Sequence, residues 1–449
     1  MTMLGTVQPP DPTDGLMVTG LSLIIKASQS YVSHGALYIK NGKILGSGPE
    51  EEVLALAPNA KRVDGTGFVA IPGLINAHTH VAMSFFRGLG HGPVTSANGQ
   101  TTMIEDLFYP VEKNLSADLI EPLSYSYLID GLKSGVTCFV DSYSFSSSVA
   151  RAMERLGLRG VVGEHIADLG GHLPSGRDVW LKTRARIEAW PHSSLITPMV
   201  YAHATDTMSP KLLSELGAFA RASDLPFQMH LSQSRGERQR VLDREGLTPV
   251  KVAEAAGVLG PRCMAVHLVS TDADDVARLV GSGSLAVICP VSEIIYENLP
   301  PLKLFSDLGL QWSLGTDCAA SNDTADLIQE MRFFRLFAKE LGVPASRISP
   351  EAILRSVTEV PREVLGLNIG SLEAGREADC VFLKSDLGTE PIDELVVNLV
   401  HSFGSRHVRH VMIGGRWVLW DGQAILAKEE ELSTAYLASV HEIKKRAGL

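Results

Sequence analysis

At 449 residues the chain can build one large hydrophobic core and a smaller second domain. Hydrophobic residues make up 45% and charged residues 20%, with a net charge of −11 and no Lys/Arg-rich run. These values exclude a disordered chain and the basic footprint of a nucleic-acid binder, and they suit a small neutral or cationic ligand. No basic start leads into an apolar segment and no run approaches the roughly 18 apolar residues of a membrane span, so a cytoplasmic chain is expected. The five cysteines (Cys138, Cys263, Cys289, Cys318, Cys380) form no CxxC pair and read as free thiols.

In chain order, the first 70 residues read as short strands with turn signals, including a hairpin turn at Asn41-Gly42. A similar pattern returns in DCVFLKSD and HVRHVMIGGRWVLWDGQ, so residues 1–70 and 370–449 are expected to form one β-sandwich domain that carries a C-terminal helix. Between them, over 71–369, eight short apolar runs alternate with helical stretches: FVAIPGLINAHTH, GVTCFVDSY, RGVVGEHIAD, LITPMVYAHA, LPFQMHLSQ, CMAVHLVS, LAVICPVS and QWSLGTDC. Continuous apolar runs are what strands buried on both faces require. The pattern fits a (β/α)₈ barrel, and an open doubly wound sheet would look alike.

In a barrel the working groups stand at the carboxyl ends of the strands. Strand one ends in His78-Thr79-His80, whose i, i+2 spacing turns both imidazoles to one side. Strands four, five, six and eight end at His203, His230, His267 and Asp317. One histidine closing a buried strand is commonly a satisfied core residue, but several independent strands delivering imidazole and carboxylate to one barrel end suit Zn²⁺ or Fe²⁺ with a coordination position left for water. The glycine runs GSGS (281–284) and IGG (413–415) match neither a dinucleotide fingerprint nor a P-loop, so no nucleotide cofactor is implied.

The stretches VDGTGFVAIPGLINAHTH, HLVS, SLGTDCAASND and GSLEAGREADCVFL resemble the amidohydrolase superfamily, in particular its branch of cytosine, guanine and S-adenosylhomocysteine deaminases and triazine hydrolases. The resemblance runs over nearly the whole chain. It implies that His78, His80, His230 and Asp317 hold one divalent metal, with zinc favoured over iron. It further implies that His267 contacts the activated water or the oxyanion and that His203 binds substrate. Two-metal members carry a carboxylated lysine at the end of strand four, which MVYAHATD lacks. Hydroxide generated on the ion would attack an electron-poor carbon of an aminated purine, pterin, pyrimidine or triazine, with Asp317 moving the proton to the leaving group. Relatives in this branch are often dimers, which implies a homo-oligomer.

Two departures stand out. Deaminases of this branch read HLxE after strand five, where the glutamate protonates a ring nitrogen; here the run is His230-Leu231-Ser232-Gln233, and an amide cannot deliver a proton. After strand seven the chain reads Cys289-Pro290-Val291-Ser292-Glu293 where relatives end in Asn. Glu293 and Glu237 are the two carboxylates that could replace the missing acid, and Glu293 is the better placed of the two. Gln233 also favours an alternative on the same scaffold: dechlorination, N-dealkylation, or amide or urea-type cleavage. A metal-stabilised binding module without turnover is a third reading, disfavoured because a buried polar set is costly to keep without use. Arg87 and His91, in the loop after strand one, are candidate substrate contacts, with turn stabilisation as the competing role. Glu164 and His165 read as supporting partners or a packed pair, and Asn322 as a loop-ordering residue.

Overall fold

The structure, a computed structural model, describes residues 2–3, 9–10, 12, 14–89, 104–170, 176–190, 193, 195–391 and 395–448. His91 lies outside the described residues. Eight parallel strands, Leu74–Thr79, Val136–Tyr143, Arg159–Glu164, Ile196–Ala204, Phe227–Leu231, Cys263–His267, Leu285–Ile288 and Trp312–Leu314, pair in chain order. The first and last meet through a Thr79–Asp317 bridge and through the Thr316 and Asp317 amides, which donate to the His78 carbonyl at 3.2 and 3.1 Å. The strand runs expected from sequence are therefore a barrel and not an open sheet.

The long apolar runs have two faces to bury, and the packing uses both. Ile75, Cys138, Val161, Met199, Val266 and Val287 cluster together, and the short helix Glu359–Leu365 adds Val360, Val364 and Leu365 to the same cluster. The outward residues pack under amphipathic helices such as Ser146–Leu156, which buries Val149, Ala152, Met153 and Leu156.

The chain leaves a second, mixed sheet at Phe68–Pro72 and enters the barrel at Leu74. That sheet joins strands from both chain ends: Phe68–Pro72 pairs antiparallel with Cys380–Lys384, which pairs onward with Val408–Ile413 and Arg416–Trp420. Leu16, Leu37, Phe382, Met412 and Trp417, from strands of both chain ends, share one buried core. The hairpin at Asn41-Gly42 forms as expected, with both residues at positive φ (52° and 76°), the backbone that Asn and Gly adopt most easily.

The C-terminal helix Glu429–Ala447 has acids in its first turn and bases in its last. It lies on the barrel helix Ala117–Lys133, with Lys133 Nζ 2.7 Å from Glu429 Oε2 and Tyr436 Oη donating to the Ser84 carbonyl at 3.1 Å. At the seam between the two sheets, buried Arg159 grips Asp379 with two hydrogen bonds of 3.0 Å and reaches Glu377 at 2.6 Å.

Candidate active site at the barrel mouth

Strands one, five, six and eight deliver His78, His80, His230, His267 and Asp317 to one place, all of them buried. The end of strand eight comes this close because residue 315 is glycine: a Cβ there would sit 2.9 Å from both the His78 nitrogen and the His78 oxygen. His267 and Asp317 have φ of 76° and 59°, left-handed backbone that non-glycine residues adopt only when their surroundings impose it.

Each imidazole is oriented by a partner on its other nitrogen. The Gln228 side-chain oxygen stands 2.9 Å from His78 Nδ1, and the Ser142 carbonyl 2.6 Å from His80 Nδ1. Both contacts call for a proton on Nδ1 and leave the Nε2 lone pair facing inward. His78 Nε2 and His230 Nε2 face each other at 3.3 Å, and Asp317 Oδ1 lies 3.8 Å from His78 Nε2 and 3.6 Å from His80 Nε2. The other Asp317 oxygen accepts from Ser292 Oγ at 2.6 Å. Burial, reinforced by neighbouring imidazoles, pushes His78 down to about 3, His80 below and His230 well below the ordinary range, so all three rings are neutral. Three neutral imidazole nitrogens and one carboxylate oxygen with inward lone pairs are a donor set that fits one divalent ion. Strand four carries no lysine to bridge a second.

His267 is different. Burial works against its charged form, but Glu293, with Oε1 at 3.4 Å from Nδ1, and the charge of Asp317 outweigh it and raise the ring above its ordinary value. Glu293 does not line the pocket. It sits behind His267, fastened by the Cys289 amide at 2.9 Å, and acts on the pocket only through that ring. Glu237 is likewise out of the pocket: its carboxylate accepts from the Gln233 amide at 2.7 Å and from Thr205 Oγ1 at 2.5 Å. Gln233 itself lines the pocket, as do His203 and His165, whose rings stand 4.5 Å apart.

Arg87 is placed elsewhere. Its guanidinium donates to the Asp323 carbonyl at 2.7 Å and to Ser126 Oγ at 2.9 Å, tying the loop after strand one to the loop after strand eight. Glu164 caps the helix at Ser146 by accepting from the Phe145 and Ser146 amides, and it pairs with Arg186 at 2.8 Å. Asn322 orders its loop by donating to the Thr316 carbonyl and to Glu330, both at 2.9 Å. Cys289 and Cys318 are buried thiols pushed upward by desolvation, the opposite of a nucleophile's environment.

Other parts of the site escaped the sequence reading. Gln228 has a readable signal, since it precedes His230 by two residues on one strand and so shares its face. Tyr143 has one too, since it closes strand two, whereas Met83, Ile104, Phe108, Tyr109, Glu112 and Tyr296 have none, because they come from loops and short helices whose path no local pattern fixes.

Comparison with known proteins places this geometry. The amidohydrolase family model matches residues 69–418. The chain is 33% identical over 427 residues to the 5-methylthioadenosine/S-adenosylhomocysteine deaminase of Syntrophobacter fumaroxidans, covering 93% of this chain and 96% of that one. It is 28% identical over 426 residues to the enzyme of the same name from Pyrococcus furiosus, covering 94% and 99%. Among solved structures it is similar in fold to an adenosine deaminase from Xanthomonas campestris with bound zinc (TM-score 0.89, 23% identity, 97% of this chain and all of that one). It is also similar in fold to the atrazine chlorohydrolase of Arthrobacter aurescens complexed with zinc (TM-score 0.86, 19% identity, 95% and 100%). With the barrel, the strand-end histidines and a family match over most of its length, the chain belongs to the amidohydrolase family and is a hydrolase acting on carbon–nitrogen bonds.

Proposed function

We propose that this hydrolase releases ammonia from the adenine ring of a 5′-thio-substituted adenosine, with zinc held by His78, His80, His230 and Asp317. The observation that carries the reading is the inward-facing set of three imidazole nitrogens and one carboxylate oxygen, set in a pocket walled by Phe108, Tyr109, Tyr143 and Tyr296. Near full-length similarity to enzymes named for such substrates supports it.

When bound, a divalent ion supplies a nucleophile at neutral pH by lowering the pKa of water. The protein's own groups do the rest. Asp317, fixed through Oδ2 by Ser292, can accept a proton on its carboxylate and pass it to the departing amine. His267, held by Glu293, donates to the oxygen on which negative charge develops. Gln233 hydrogen-bonds the ring without protonating it, and His203, whose Nδ1 lies 2.8 Å from Thr207 Oγ1, orients the substrate.

Gln233 favours the second reading, displacement of chloride or an alkylamine from a triazine, which needs no acid at the ring nitrogen. Metal-loaded protein tested on 5′-methylthioadenosine, S-adenosylhomocysteine and chlorotriazines separates the two. Ammonia and the corresponding inosine-type nucleoside, with its glycosidic bond intact, are expected from the nucleosides; chloride or alkylamine from triazines with no ammonia from any nucleoside would overturn the proposal.

A further inference from the structure

A side pocket opens off the metal pocket on the strand-four side. The two share Ile104, Tyr109, His203 and Gln233, and the side pocket continues to Glu105, Asp206 and Arg240. None of these three figured in the sequence reading, and none touches the metal-binding set.

Asp206 lies two residues past the end of strand four, with its side chain only 4% exposed. Its Oδ2 accepts twice from Arg240, from Nε at 3.0 Å and from Nη2 at 2.5 Å. Its Oδ1 is buried and has no donor among the described residues. A buried carboxylate oxygen without a donor is uncommon, because desolvation goes uncompensated unless a partner arrives. The charge around it points to the kind of partner. Glu105 lines the same pocket, and Glu237 lies fully buried behind it, fastened to Thr205 and to the Gln233 amide. Burial and the neighbouring charge of Asp206 push Glu237 up to about 7. Three carboxylates thus gather around the guanidinium of Arg240, while Arg244 is engaged with the backbone carbonyls of Asp206 and Thr205 at 2.8 and 2.6 Å, so carboxylates outnumber guanidiniums by three to two.

We propose that this side pocket binds a protonated amine carried on the substrate's tail, with Asp206 Oδ1 accepting its N–H. The inference rests on the reading that an adenine nucleoside sits with its ring at the metal site, and it sharpens which tail is preferred. The homocysteine tail of S-adenosylhomocysteine ends in such an amine beside a carboxylate, a methylthio tail carries neither, and the desamino analogue keeps the carboxylate and so isolates the amine. A charge-assisted hydrogen bond to a desolvated carboxylate is strong enough to discriminate between them.

The test compares S-adenosylhomocysteine with its desamino analogue, in which hydrogen replaces the amine, on the metal-loaded full chain. Both kcat/KM and the calorimetric Kd are read, with 5′-methylthioadenosine as the ammonia-release control. Wild type is expected to favour the amine-bearing compound by about tenfold or more, and Asp206→Asn to reduce that ratio to about threefold or less. Equal values for the two compounds with wild type overturn the subsite, and this arm depends on no variant folding. A ratio that Asp206→Asn leaves unchanged also overturns it. Ammonia from the control without discrimination removes the subsite and keeps the proposed reaction. Discrimination in Kd without ammonia from any nucleoside does the reverse.

Discussion

The barrel mouth and the seam between the two sheets both bury charge, and they do so in opposite ways. At the seam, Arg159 is enclosed by Asp379 and Glu377, its guanidinium matched in fork geometry to a carboxylate that is itself 1% exposed. At the mouth, Asp317 and three neutral imidazoles face one another at 3.3 to 3.8 Å across a shared centre, with every outward atom tied down and every inward lone pair open. The mouth also holds His267 and Asp317 in left-handed backbone, a conformation costing on the order of 1–3 kcal/mol per residue. Buried charge alone therefore does not mark function in this molecule. What marks it is a set of groups oriented on one side and unsatisfied on the other.

That contrast can be broken experimentally, and the variants divide accordingly. The largest effect is expected at the mouth: Asp317→Ala should remove the bound ion and lower turnover by roughly 10³-fold, on the order of 4 kcal/mol of barrier, while leaving the fold intact by circular dichroism. Arg159→Ala should do the opposite, costing about 3–5 kcal/mol in denaturant unfolding because two carboxylates lose their partner, with metal content unchanged in the folded fraction. A drop in metal content there would mean that the seam and the mouth are not separate.

Glu293→Gln should keep the ion and KM and lower kcat by about 10- to 100-fold, because it acts on the pocket only through His267. An unchanged kcat would reduce Glu293 to a packing residue. The smallest effect concerns Glu330, buried against Asn322 and the Val291 amide, whose carboxyl burial pushes up to about 8 from an ordinary 4.5. A raised carboxylate contributes stability that is fully present below its unfolded value and is lost as pH climbs through the folded value. The melting temperature should fall between about pH 4.5 and 8 in wild type, and less steeply in Glu330→Gln.

Sequence reasoning reached the mouth because barrel geometry converts strand ends into a common location. His78, His80, His203, His230, His267 and Asp317 could be picked out by where eight apolar runs stop, and all of them lie together. It reached the fold because strands buried on both faces leave continuous apolar runs, and because Asn41-Gly42 needs a backbone that few residues accept. It was less successful where position depends on the third dimension. Arg87 lies near His80 in sequence, yet a turn sends its guanidinium to Asp323 and Ser126. Glu293 and Glu237 were weighed as acids facing the ring, but each has its carboxylate held by backbone amides outside the pocket lining. Glu112 and Tyr296 line the pocket from separate segments that meet only after folding.

The most direct test of the four-ligand site is metal stoichiometry by mass spectrometry on purified wild type and His78→Ala, each dialysed against apo buffer and then reloaded with zinc. One ion per wild-type chain and none retained by His78→Ala is the expected result. Two ions per wild-type chain, or a full complement in His78→Ala, would contradict the assignment of His78, His80, His230 and Asp317 as the set that holds a single metal.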